Sequence, residues 1–163
     1  MAIGLKVANL SGFNDYDKGI IEKATWGVNY IFTHPRFKEE ILSRQFTETQ
    51  GLSNQGIYDC IEKGDQLNLS DELGVLDLKL VMYNSWFSRV VGYTYLTSLT
   101  IWINAKFFAG PKSVGSNLAH EAMHQLGFTH NNYWASSVPY QMNEIIEKLW
   151  KELGVKGLIA QRF

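Results

Sequence analysis

Three of the chain's four histidines fall between positions 120 and 130, at His120, His124 and His130, and Glu121 directly follows the first. On an α-helix, side chains four positions apart project about 40° apart around the axis, so His120 and His124 share a face and can meet one cation. Glu121, rotated by about 100° from His120, stays outside the ligand set but within reach of a water held there. Gly127 marks the expected end of that helix, because glycine enters the left-handed conformation without strain and can turn the chain. His130 then comes back toward the same cation. Three neutral imidazoles with a fourth position open are the donor set of a catalytic Zn²⁺ site, whereas structural sites are usually closed by four protein ligands, most often with thiolates. Cys60 is the sole cysteine, which excludes a cysteine-rich zinc site and an intramolecular disulfide.

A bare H-E-x-x-H arises by chance often enough to carry little weight. The full pattern H-E-x-x-H-x-x-G-x-x-H, at the frequencies of His, Glu and Gly in this chain, has a chance probability on the order of 10⁻⁵. The segment resembles the consensus of the metzincin clan of zinc metallopeptidases, including its glycine. That clan also carries a methionine-containing turn beneath the zinc, followed by a C-terminal helix. Met142, within residues 137–144, stands at the corresponding place in the order of the chain.

Those residues need a scaffold, and length and composition bound it. The 163 residues suit one domain, with 45% hydrophobic and 13% aromatic residues available for a core. Fifteen basic against sixteen acidic residues leave a formal charge of −1, so no electrostatic footprint for nucleic acid or an anionic membrane is visible. No apolar run reaches the length of a membrane span. The first ten residues lack the basic start, apolar block and cleavage site of a secretory signal. A soluble chain is expected, either intracellular or the mature form of a secreted protein, and monomeric.

The elements follow from periodicity. Ile3, Leu5 and Val7 alternate with smaller or polar residues as in a half-buried strand, and Ile20, Ala24, Val28, Ile31 and Phe32 follow helical spacing after a turn at residues 12–15. Asp15 or Asp17 could cap that helix, and His34-Pro35 should end it, which makes His34 a boundary residue. Phe37, Ile41 and Leu42 suggest another helical turn, and residues 45–49 a short strand. Ser53 and Gly64 bracket a short helix that places Cys60 on a buried face. Leu76, Leu78, Leu80 and Met82 read as a second strand. Residues 90–96 and 99–105, rich in β-branched and aromatic side chains, form a hairpin about Thr97-Ser98. Ser113 or Ser116 could cap the histidine-bearing helix, whose apolar residues Leu118, Ala119, Ala122, Met123 and Leu126 bury it. Ile145, Ile146, Leu149, Trp150 and Leu153 mark a last amphipathic helix ended by Gly154.

The resemblance implies an α/β (α+β) zincin fold: a twisted mixed sheet, a backing helix, the active-site helix, and a small C-terminal lobe with the methionine turn and a terminal helix. It divides the chain into an upper lobe, residues 1–127, and a lower lobe, residues 128–163. It also implies that residues 90–96 form the antiparallel edge of the sheet, where Gly92, Tyr93, Thr94 and Tyr95 would pair with an extended peptide or protein substrate. Residues 131–141 would wall the specificity pocket. The expected chemistry is peptide hydrolysis with one Zn²⁺ held by the three histidines and Glu121 as general base and then general acid. Tyr133 and Tyr140 could donate to an oxyanion but suit packing better. The alternative is a zinc-bearing module that captures a peptide without cleaving it.

Overall fold

Leucine and isoleucine at alternate positions of the strands make one face of a sheet apolar, and the whole architecture follows from covering that face. The computed structural model describes residues 3–66, 74–96 and 98–163. Its four strands are β1 (Gly4–Ser11), β2 (Val75–Tyr83), β3 (Gly92–Thr94) and β4 (Thr100–Asn104), in the order β1-β2-β4-β3. The first two pairings are parallel, and β3 runs antiparallel to β4 at the edge. The class is thus mixed α/β, as expected. Leu5, Leu76, Leu78, Leu80, Ile101 and Ile103 are buried in the core. The helices are α1 (Asp15–Thr33), α2 (Pro35–Ser43), α3 (Asn54–Lys63), α4 (Pro111–Gln125), α5 (Val138–Glu152) and α6 (Val155–Arg162). Helix α1 packs on β1 and α4, and α4 packs on β3 and α5. Among the described residues no helix is long and apolar enough to cross a membrane.

Several local expectations change. Asn14, not Asp15 or Asp17, caps α1: its side chain accepts from the Asp17 N–H while the Asp17 carboxylate accepts from the Asn14 N–H, satisfying two end donors reciprocally. His34 ends α1 and also begins α2, its Nδ1 accepting from the Arg36 N–H at 3.2 Å. Neither Ser113 nor Ser116 caps α4. Pro111, which suits the first helical position, starts the helix one residue after Gly110, and Ser116 is buried with its hydroxyl 3.0 Å from Asn143 Oδ1. Residues 45–49 form no strand, only an isolated bridge between Thr47 and Ser137, because Glu48 (φ 53°) and Gln50 (φ 57°) leave the extended region.

The hairpin pairs Gly92 with Ile103, Tyr93 with Trp102 and Thr94 with Ile101, the register that a connection centred on positions 97 and 98 requires. The ladder is shorter than residues 90–96 and 99–105, and Thr97 itself lies outside the described residues. Cys60 is half-buried against the core, and burial pushes its thiol pKa up.

Residues 128–163 share a hydrophobic cluster with the rest of the chain. One hydrophobic cluster contains Leu118 and Met123 of α4 together with Phe128, Met142, Ile146 and Leu149, and α5 also packs on α1 and α2. Met142 lies inside α5 rather than in a turn ahead of it, since Pro139 in the first helical turn starts the helix upstream. Gly154, with φ 63°, stops α5 as expected, but α6 then follows.

Candidate metal centre

Helix α4 ends in a way that builds the site. Gly127 has φ 95°, its N–H donates to the His124 carbonyl at 2.9 Å, and the Phe128 N–H donates to the Met123 carbonyl at 3.1 Å. This is the paired Schellman termination, with Phe128 and Met123 both fully buried as its apolar contact. The turn brings the Phe128 carbonyl back over the helix, where it accepts from His124 Nδ1–H at 2.8 Å. That bond fixes the tautomer and leaves His124 Nε2 free to ligate.

The three histidines meet. One ring nitrogen from each of His120, His124 and His130 lies within 4.8 Å of the others, a set that could hold a metal ion. Their ring centroids are 5.1 Å (His120–His124), 5.5 Å (His120–His130) and 4.7 Å (His124–His130) apart. Helix α5 positions His120: the Pro139 carbonyl accepts from its ring, and Asn143 Nδ2 lies 3.3 Å from its Nδ1. Burial holds the His120 pKa down at about 3, with His124 and His130 adding to the effect and Pro139 opposing it. Burial also lowers His124, against the Phe128 carbonyl. Neutral imidazole is the form that ligates.

Glu121 is only 3% exposed. Burial pushes its pKa up to about 8, while hydrogen bonds from the Asn117 amide and the Thr94 N–H act the other way. One oxygen, Oε2, has no hydrogen-bond partner among the described residues. A buried carboxyl with an unused oxygen is costly unless a partner arrives there, and a dication nearby favours its charged form. The donor set, with this orphaned oxygen beside it, fits a borderline divalent cation.

The cleft above these residues has a volume of about 720 Å³, with Gly92, Tyr93 and Thr94 on one wall and Asn131 and Tyr140 on the other. The Asn104 N–H donates to the Val91 carbonyl at 2.9 Å, so by alternation the peptide groups of Gly92 and Thr94 face away from β4. The Thr94 N–H is engaged by Glu121, which leaves the Gly92 N–H and both carbonyls along the free edge. Tyr95 lies past the end of β3. It is mostly exposed, with its ring edge-on to Trp102 at 5.5 Å, and does not line the cleft. A Cβ on Gly92 would fall 2.6 Å from Asn117 Oδ1, so this close approach of β3 to α4 needs glycine.

Tyr140 stands edge-on to His120 and His130, at 4.8 and 5.0 Å between centroids, and Trp134 backs it at 4.8 Å. Tyr133 is exposed, its backbone N–H bonded to Glu48. Met142 is fully buried, one helical turn after Pro139 and directly before Asn143, the residues beside His120. Asn117 escaped notice although its spacing of four from Glu121 on one helix was a usable signal. Asn143 and Glu48 act across the fold and left no local mark. Comparisons with protein-family models, with curated proteins and with solved structures find no match to this chain.

Proposed function

We propose that the protein is a zinc-dependent endopeptidase of metzincin-like type that cleaves extended peptide segments. One observation carries this reading: three imidazoles converge within 4.8 Å beside the buried carboxyl of Glu121, under the free edge of β3. His120, His124 and His130 would hold the ion, oriented by Pro139, Phe128 and the loop after α4. A bound Zn²⁺ supplies Lewis acidity toward the substrate carbonyl and lowers the pKa of a neighbouring water.

The chain's own residues do the rest. Glu121 takes the proton of the attacking water at its unpartnered Oε2 and passes it to the leaving amine. Asn117 and the Thr94 N–H hold the carboxyl in place for both transfers. The Gly92 N–H and the carbonyls of Gly92 and Thr94 align a substrate strand through backbone hydrogen bonds, which makes affinity largely independent of side chains along that edge.

Cleavage of a denatured-protein peptide library, with and without chelator, tests the reading. The wild-type chain should cut in a chelator-sensitive way, and Glu121→Gln should retain zinc while losing cleavage by at least about 10²-fold. Undiminished cleavage by Glu121→Gln would sink the assignment of the base. Peptide capture by the wild type without chelator-sensitive cleavage would favour the binding-module alternative.

A further inference from the structure

His130 differs from the other two histidines in having no helix to hold it, since α4 ends at Gln125 and the next regular turn is at Trp134–Ser136. A ligand on a loop must be ordered either by the fold beforehand or by the metal as it binds, and the second route weakens binding. Residues 47–50, far away in sequence, grip this loop at both ends. The Thr47 N–H donates to the Ser136 carbonyl at 2.9 Å, its hydroxyl lies 2.8 Å from Ser136 Oγ, and Gln50 Nε2 donates to the Gly127 carbonyl. Between them sits Glu48. Its Oε2 accepts from Thr129 Oγ1 at 3.0 Å and from the Asn131 N–H at 2.7 Å, one residue on either side of His130. Its Oε1 accepts from the N–H groups of Asn132 and Tyr133 at 2.7 and 2.8 Å.

Three successive backbone N–H groups converging on one anion are a nest, and bonds of this length to a carboxylate are of the charge-assisted kind. Both Glu48 and Gln50 adopt positive φ, a conformation that non-glycine residues keep only where surrounding contacts impose it. The Tyr133 and Asn132 N–H groups, with smaller help from Asn131 and Thr129, hold the Glu48 pKa down at about 2, so the carboxylate is charged across the working range of pH.

We propose that Glu48 is a positioning residue for the third metal ligand: by bracketing His130 from Thr129 to Tyr133 it presets the imidazole for the ion, so that metal affinity depends on a side chain 82 positions away in sequence. This rests on the metal-centre reading above. A purely structural staple would lower the stability of the protein without changing the affinity of the folded chain for metal.

Titration of the full chain with Co²⁺, followed by visible absorption, and with Zn²⁺ against a chromophoric chelator separates the two. Glu48→Gln should bind about 10- to 100-fold more weakly than wild type, with altered Co²⁺ bands. Ile57→Val, a truncation in the core of α3, should lower the melting temperature of the metal-free protein and leave affinity unchanged. A folded Glu48→Gln chain with wild-type affinity and bands would overturn the inference alone, whatever its melting temperature. A wild-type chain that binds neither ion would overturn the metal-centre reading and the inference together. If Glu48→Gln does not fold, Thr129→Val removes one of the four donors. Weaker Co²⁺ binding by that variant is expected, and unchanged binding would overturn the inference.

Discussion

At the scale of single residues, the site is a set of side chains each given one task by one neighbour. The Phe128 carbonyl decides which nitrogen of His124 is free, Pro139 and Asn143 face the ring of His120, and Asn117 holds Glu121. Because the unfolded chain offers no such cluster, a metal ion held by the three histidines would add directly to stability. Zn²⁺ at about 100 times its Kd should add about 2.7 kcal/mol to unfolding in urea, and His130→Ala should lose most of that gain. Glu48 makes a separate prediction about acid. Its pKa is depressed to about 2 from an ordinary value of 4.5, so its stabilising effect is complete above about pH 4.5 and fades as pH falls toward 2. In metal-free protein, the stability gap between wild type and Glu48→Gln should therefore close over that interval. A gap that persists unchanged at pH 2 would show that the loop does not use the charge.

At the scale of elements, α4 matters as much for how it stops as for what it carries. Gly127 at φ 95° closes the helix so that the Phe128 carbonyl returns to His124 and the chain is aimed at His130. An alanine there must adopt a strained backbone or break the paired termination. Gly127→Ala should cost about 1–2 kcal/mol in denaturant unfolding and weaken Co²⁺ binding at the same time. Loss of stability with unaltered metal affinity would mean that the turn does not aim the ligands. The edge strand illustrates the opposite case, in which an element is shorter than its composition suggests. Asn104, fully buried, donates to the Ser85 and Val90 carbonyls and holds that stretch as a loop, leaving only Gly92–Thr94 in the ladder.

At the scale of the whole molecule, α1, α4 and α5 are locked through one tryptophan. Trp150 of α5 lies over Gly27 of α1 and Gly115 of α4, and a Cβ on Gly27 would fall 2.3 Å from its ring. Gly27→Ala should therefore destabilise by about 1–3 kcal/mol through overpacking. Combined with Trp150→Leu, the cost of Gly27→Ala should largely vanish, and a double-mutant cycle in urea measures that coupling. Ion pairs also join α5 to α2 and its C-cap, with Lys148 2.5 Å from Glu40, Arg44 2.8 Å from Glu144 and Arg36 2.9 Å from Glu152. Burial acts to raise the Glu40 pKa, but Lys148 and Arg44 outweigh it and leave it lowered. Partly exposed pairs of this kind contribute at most about 1 kcal/mol each.

Local order was legible in the chain itself. The ligand spacing, the glycine stops at 64, 127 and 154, the strand alternation at Leu76, Leu78 and Leu80, and the hairpin register all depend on residues a few positions apart, whose geometry the backbone period dictates. Tertiary structure alone decided the rest. It determined that residues 45–49 are a strap rather than a strand, and that residues 128–163 share one core with the rest of the chain. It also brought Glu48 to His130 and α5 to His120. The physical reason is that such contacts join residues separated by tens of positions, and their partners are selected by packing, by hydrogen-bond satisfaction and by strain that can be held at Glu48 and Gln50. No periodicity along the chain records those choices.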